Sequence, residues 1–90
     1  MDPVHTFHSE KNSKLVEEKD ISFEEVIVAI QEGHLLDILE HPNQEKYKHQ
    51  KLYVVHVKEY VYLVPFTETK DEIFLVTIIP SRKAKQKYIK

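Results

Sequence analysis

The stretch Ile21-Ser22-Phe23-Glu24-Glu25-Val26 carries the clearest local signal in the chain. Ser22 is typical of a helix N-cap, and Glu25, three residues later, completes a capping box in which side chains satisfy free backbone N–H groups. Ile21 and Val26 are spaced to form the hydrophobic staple that often surrounds such a box. The stretch therefore predicts that a helix begins directly after Ser22.

The residues on either side of this stretch extend the prediction. Apolar residues recur at the spacing of one helix face, at Phe23, Val26, Ile27 and Ile30. Gly33, the only glycine, predicts a left-handed residue at the helix end. On the N-terminal side, Ser9 is the expected N-cap of a mostly charged surface helix over 10–19. Residues 4–7 are expected to form a short strand.

The second half of the chain is dominated by residues that favour strands. Runs rich in Val, Ile, Tyr and Phe predict strands over 35–39, 52–57, 60–66 and 73–79. Lys58-Glu59 is the expected tight turn between two of them, and Pro80 is expected to end the last strand. The runs are apolar on both faces, which predicts helices on one side of the sheet and partial cover on the other.

These elements define the expected architecture. The fold class is α+β, with two N-terminal helices packed on a small antiparallel sheet in the order strand, helix, helix, strand meander. A short basic C-terminal helix follows Ser81 and reaches Tyr88. Ninety residues suit one domain, which would span residues 1–90.

Composition excludes several classes of site. The chain has no cysteine, so disulfides and thiolate zinc sites are excluded. A single glycine excludes a glycine-rich phosphate loop, and the six histidines match no metal-ligand spacing. We therefore expect neither a cofactor nor a metal. The N-terminus does not resemble a signal peptide and the apolar runs are too short to cross a bilayer, so a soluble cytoplasmic protein without a membrane partner is expected.

Charge is divided unequally along the chain. Residues 1–45 contain eleven acidic residues and three lysines, whereas residues 46–90 contain ten basic and four acidic residues. The net charges of −8 and +6 suggest a dipolar domain or a half that faces nucleic acid. The alternative is that the two halves interleave in space and the charges mix.

Basic and aromatic residues cluster at both ends of the strand region. The set comprises Lys46, Lys48, His49, Lys51, Arg82, Lys83, Lys85, Lys87 and Tyr88. We expect the start of the strand over 52–57 and the end of the strand over 73–79 to meet at one sheet edge, where these residues would line a groove. Cleavage of RNA requires a base, an acid and cations near the phosphate, and such residues supply all three. The alternative is a solvated basic tail that keeps the protein soluble.

Three elements in a fixed order carry a resemblance to a known family. They are Glu10-Lys11-Asn12, then Ile21-Ser22-Phe23-Glu24-Glu25-Val26, then Ile78-Ile79-Pro80-Ser81-Arg82-Lys83-Ala84. Together they resemble the BrnT-type toxins of bacterial type II toxin–antitoxin systems. The resemblance implies a RelE/ParE-like fold and a ribonuclease activity that arrests translation. It also implies a cognate antitoxin with a ribbon–helix–helix DNA-binding domain.

The resemblance and the basic cluster together suggest site residues. Arg82 and Lys83 match the family's basic junction, and Lys51 falls where the family tends to have a basic residue entering a strand. These three would hold phosphate, and His49 or Tyr88 would transfer protons in a metal-independent reaction. The remaining RNA contacts would come from Lys46, Lys48, Lys85 and Lys87.

Two other functions fit the same sequence. The first is a non-catalytic domain of the same fold that binds a protein or nucleic acid, with Glu17, Glu18, Glu24 and Glu25 docking a basic partner. The second is a toxin of the same fold that is directed at gyrase, because fold alone does not determine function.

Overall fold

The computed structural model describes residues 4–47 and 49–89, which form three helices and six strands. In chain order the elements are β1 (Val4–Phe7), α1 (Ser9–Lys19), α2 (Phe23–Gln31), β2 (Leu35–Glu40), β3 (Gln50–Val57), β4 (Tyr60–Glu68), β5 (Glu72–Leu75), β6 (Ile79–Pro80) and α3 (Arg82–Tyr88). The α+β class is therefore confirmed.

The capping box at the start of α2 is confirmed. The Ser22 hydroxyl accepts a hydrogen bond from the Glu25 backbone N–H at 3.1 Å, and the Ser22 N–H donates to the Glu25 carboxylate at 3.2 Å. Ile21 and Val26 are both fully buried in the same core, as a hydrophobic staple requires.

The end of α2 is also as predicted. Gly33 has φ +90°, and its N–H donates to the Ile30 carbonyl at 3.2 Å. The His34 N–H donates to the Ala29 carbonyl at 2.9 Å. These two bonds form a Schellman motif, which satisfies carbonyls that the helix leaves free and turns the chain into β2.

Helix α1 begins one residue earlier than expected, so the prediction that Ser9 caps it is wrong. His8 occupies the N-cap position with extended backbone angles and makes no side-chain capping bond. The His8 carbonyl accepts from the Asn12 N–H at 3.0 Å, which places Ser9 inside the first turn.

The six strands form one mixed sheet with the main order β1-β5-β4-β3-β2, and β6 pairs with β4. The prediction of a purely antiparallel sheet is wrong for β1, which pairs with β5 in parallel. The reason is the connection: α1, α2 and the meander separate β1 from β5, so the two strands are not constrained by a hairpin. The Lys58-Glu59 turn between β3 and β4 is confirmed, with Lys58 at φ 57°.

The strand expected over 73–79 is divided into β5 and β6. Pro65 in β4 lacks an N–H, so it offers the neighbouring strand only its carbonyl, which accepts from Val76 at 2.8 Å. The ladder ends at Leu75 and resumes at Ile79. Pro80 is the last residue of β6, as predicted, and it pairs with Tyr62.

The two faces of the sheet are covered unequally. On the first face α1 and α2 pack on Tyr53, Val55 and Val57 and form the larger core. On the second face α3 packs on Val54 and Val61. Alternate residues of β3 therefore point to different helices, as expected for a strand that is apolar on both faces.

Candidate functional site

A pocket of about 260 Å³ lies where β2 and β4 end and β3 begins. It is lined by Glu40, Gln44, His49, Gln50, Lys51, Phe66 and Glu68, and we call it the loop pocket. The strand register builds it, because Glu40 pairs with Lys51 and Lys51 pairs with Phe66. Side chains that are directly opposite each other on neighbouring strands lie on the same face. Two of the residues predicted to be catalytic, His49 and Lys51, therefore share one pocket.

The loop that supplies His49 is held by its own hydrogen bonds. The Asn43 N–H donates to His41 Nδ1 at 3.1 Å, and the Tyr47 N–H donates to the Asn43 carbonyl at 2.9 Å. The Gln50 N–H then donates to the Tyr47 carbonyl at 2.9 Å. These bonds define a compact turn that delivers the chain to the start of β3.

The Tyr47 ring contacts two other side chains of this loop. Its ring centroid lies 4.4 Å from that of His41, and the Lys46 Nζ lies 5.3 Å from the same Tyr47 centroid. This cation–π contact holds the Lys46 charge on the loop that supplies His49. Lys48, also predicted to bind RNA, lies outside the described residues.

The floor of the loop pocket is aromatic. Phe66 is buried and stacks on Tyr53 with 3.9 Å between ring centroids. Burial, and then the charge of Glu68, raises the pKa of the Tyr53 hydroxyl above its ordinary value. Tyr53 therefore stays protonated at neutral pH and supports the pocket without exchanging a proton.

The rim of the loop pocket combines groups of opposite charge that are exposed to solvent, namely Glu40, His49, Lys51 and Glu68. Among the described residues, no ion pair of 4.0 Å or less involves Lys51. A carboxylate accepts a proton, an imidazole exchanges one near neutral pH, and an ammonium group attracts phosphate. The pocket therefore holds the groups that general acid–base chemistry on a phosphodiester needs.

Helix α3 carries the second cluster of basic residues in the sequence, the one that follows the strands. The Ser81 hydroxyl accepts from the Ala84 N–H at 3.1 Å and caps the helix. The four cations of α3 are exposed, and they are Arg82, Lys83, Lys85 and Lys87. The Lys85 Nζ lies 5.2 Å from the centroid of the Tyr60 ring, which directs this side chain toward the start of β4.

Tyr88 connects α3 to the sheet. Its hydroxyl donates to Asp37 Oδ2 in β2 at 2.7 Å. This bond, followed by the bond from the Ile38 N–H, lowers the pKa of Asp37, and the same Tyr88–Asp37 bond raises the pKa of Tyr88. A hydroxyl engaged in this way positions α3 on the sheet, and Tyr88 is not among the residues that line the loop pocket.

The single groove expected from the sequence is not formed. Lys51 lies on the first face in register with Phe66, whereas Arg82 and Lys83 belong to α3 on the second face. The physical reason is that β3 and β5 are both antiparallel to β4 and so run parallel to each other. Their starts therefore lie at the same end of the sheet, on either side of β4, and the chain after β5 continues toward the opposite end.

Sequence reasoning did not identify Glu40 and Glu68 as site residues. Glu40 ends β2 and Glu68 ends β4, so each reads as an ordinary polar residue at a strand end. The register of the β3–β4 hairpin would have identified Glu68, whereas Glu40 is placed by the pairing of β2 with β3. Counting outward from the Lys58-Glu59 turn pairs Lys51 with Phe66 and places Glu68 beside His49.

The chain was compared with known proteins at three levels. No protein-family model, no curated protein and no solved structure matches it. Within the described ranges 4–47 and 49–89, no helix combines the length and hydrophobicity that crossing a bilayer requires. The same residues contain no group of three or more His, Cys, Asp or Glu arranged to hold a metal ion.

Proposed function

We propose that this protein is the toxin of a toxin–antitoxin system and acts as a metal-independent endoribonuclease with the loop pocket as its active site. The observation that carries the proposal is the convergence of His49 and Lys51 with the carboxylates of Glu40 and Glu68 in one pocket. The resemblance of the three sequence elements to BrnT-type toxins, with their RelE/ParE-like fold, supports the same activity.

The reaction follows from the groups in the pocket. One of the two carboxylates accepts the proton of an RNA 2′-hydroxyl, and the oxygen attacks the adjacent phosphorus. The bond from phosphorus to the 5′-oxygen breaks, and the His49 imidazolium donates a proton to that oxygen. Lys51 stabilises the negative charge that accumulates on the phosphate. The products are a 2′,3′-cyclic phosphate and a 5′-hydroxyl, and the nucleophile belongs to the RNA itself.

Helix α3 would contribute to binding rather than to chemistry. Its exposed cations, Arg82, Lys83, Lys85 and Lys87, attract the RNA backbone and raise the rate of encounter. Lys46 adds a cation on the loop that supplies His49. This division of roles differs from the sequence-based hypothesis, in which Arg82, Lys83 and Tyr88 were catalytic.

The biological setting of the proposal follows from the resemblance. The toxin would act in the bacterial cytoplasm and inhibit translation by cutting RNA. A cognate antitoxin with a ribbon–helix–helix DNA-binding domain would neutralise it.

The second candidate is a non-catalytic domain that binds protein or nucleic acid. The separation of Lys51 from α3 favours it, because a phosphate held at one of these places does not contact the other. Under this alternative α3 alone would bind nucleic acid.

Incubating purified protein with a structured RNA in the presence of a metal chelator tests the proposal. The endoribonuclease yields discrete fragments ending in 2′,3′-cyclic phosphate. Intact RNA that is shifted in a native gel would contradict cleavage and support the binding domain.

A further inference from the structure

A cleft of about 530 Å³ lies between α2 and the end of β3. Its floor is formed by Val28, Ala29 and Val57, and its rim by Glu24, Glu25 and Glu32. His34 and His56 close the end nearest the Gly33 turn, where the His56 N–H donates to the His34 carbonyl at 3.0 Å. We call it the α2–β3 cleft.

The floor offers apolar surface that nothing in the described chain covers completely. Val28 is 49% exposed, although Val26 on the same helix is fully buried. Val57 is buried at the base of the cleft, so the apolar surface is continuous from the helix to the sheet. An apolar strip bounded by polar residues is the usual form of a protein-binding surface.

The rim determines the charge of the partner. Lys58 places its Nζ 3.3 Å from the Glu25 carboxylate, so the cleft already holds one ammonium group of the chain itself. Within the described residues, Glu24 and Glu32 have no cation within 4.0 Å. Glu24 accepts one hydrogen bond, from the Asn12 side chain at 2.7 Å. The two carboxylates favour a cationic occupant and repel phosphates.

We propose that the α2–β3 cleft binds a basic amphipathic peptide segment of a partner protein. The apolar side chains of the segment would contact Val28 and Val57, and its lysine or arginine heads would pair with Glu24 and Glu32. A long basic side chain supplies both contacts, because its aliphatic stem packs on apolar surface while its charge remains at the rim.

The α2–β3 cleft lies apart from the loop pocket. It borders the end of β3 at Val57, whereas the loop pocket borders the start of that strand at Lys51. Val57 is six steps along the strand from Lys51, a distance of roughly 20 Å at about 3.3 Å per residue. The inference therefore goes beyond RNA cleavage and does not depend on it.

Fluorescence anisotropy with a labelled helical peptide of about four turns tests the proposal. The probe carries leucines along one face and lysine and arginine elsewhere. One comparison peptide has the same composition in scrambled order, and another has glutamate in place of the basic residues. We expect saturable binding of the probe that is stronger than binding of either comparison peptide.

Variants then locate the binding site. Glu24→Gln/Glu32→Gln removes two exposed pairing groups and should weaken binding about tenfold. Val28→Ser should weaken it roughly threefold to fivefold by removing apolar contact. The control Glu10→Lys changes the net charge equally at an exposed position of α1 and should leave binding unchanged.

Several results would overturn the proposal. They are an absence of saturable binding, equal binding of the scrambled or acidic peptide, and equal weakening by the α1 control. Backbone amide shifts on peptide addition should change at Val28, His34 and His56, and shifts confined to other residues would also overturn it. Because these measurements contain no RNA, their outcome is separate from that of the cleavage assay.

Discussion

Asn12, the last residue of the Glu10-Lys11-Asn12 element, links α1 to the start of α2. Its side-chain oxygen accepts from the Phe23 N–H at 2.7 Å, and its amide group donates to the Glu24 carboxylate at 2.7 Å. The first N–H groups of a helix have no partner within the helix. Asn12 in α1 thus satisfies one that the Ser22 box leaves free, and it fixes the angle between the two helices.

Removal of this side chain should cost stability. We expect Asn12→Ala to lower the free energy of unfolding by about 1–2 kcal/mol, because the Phe23 N–H loses its partner in a partly buried position. Ser13→Ala, at the next and exposed position of α1, should change it by less than about 0.5 kcal/mol. Urea denaturation measures both, and equal effects of the two variants would contradict this role for Asn12.

Tyr88 and Asp37 form a second contact that can be tested one residue at a time. Because its pKa is lowered in the fold, Asp37 adds stability above its unfolded pKa, and this is lost as pH falls through its folded pKa. We expect Tyr88→Phe to raise the pKa of Asp37 and to weaken the loss of stability on acidification. Titration of the Asp37 carboxyl carbon by NMR, with Tyr47→Phe as control, measures this effect. An unchanged Asp37 pKa in Tyr88→Phe would show that the hydrogen bond does not form in solution.

Among the described helices and strands, α3 carries the largest net charge. It contains four cations and no acidic residue. We expect Arg82→Ala/Lys83→Ala to weaken RNA binding and to lower the salt dependence of log K by about 1.4, at about 0.7 per single-strand phosphate contact. Chemistry in the loop pocket should persist at saturating RNA.

The control for α3 is Lys11→Ala/Lys14→Ala, which removes two exposed lysines from α1. Filter binding at a series of salt concentrations compares the variants. If both pairs reduce the salt dependence equally, RNA contacts α3 no more than α1.

The elements that could be predicted from sequence are those specified locally. The Ser22 box, Gly33 and the Lys58-Glu59 turn each depend on residues within one turn or hairpin, and each was predicted correctly. The parallel pairing of β1 with β5 and the break after Leu75 depend on contacts with distant residues. The hydrophobic pattern along the chain does not specify which distant strands pair or where a pairing is interrupted.

In the whole molecule, the acidic and basic halves of the sequence are partly separated in space. The acidic residues of α2 lie on the first face and the cations of α3 lie on the second, with the sheet between them. The halves do not separate completely, because Glu40 lies in the loop pocket beside Lys51. The acidic first half thus contributes a carboxylate to the site that the basic second half was expected to form alone.

The candidate site was only partly predictable, because some of its residues are brought together by pairing between different strands. His49 and Lys51 are close in sequence, so their proximity follows from the chain itself. Glu40 and Glu68 join them through pairing across three strands, and Arg82 and Lys83 are excluded from the pocket by the direction of β5. The separation of the cations proposed to bind RNA from the proposed catalytic groups emerges only from the assembled sheet.

The most direct test of the central claim is cleavage of RNA by His49→Gln under single-turnover conditions in chelator. General acid–base groups contribute typically about 10²–10⁴-fold to a rate. We therefore expect His49→Gln to cleave at least about 10²-fold more slowly, while His8→Gln, at an exposed position outside the pocket, cleaves like the unaltered protein. Cleavage by His49→Gln at the unaltered rate would contradict the assignment of the loop pocket as the active site.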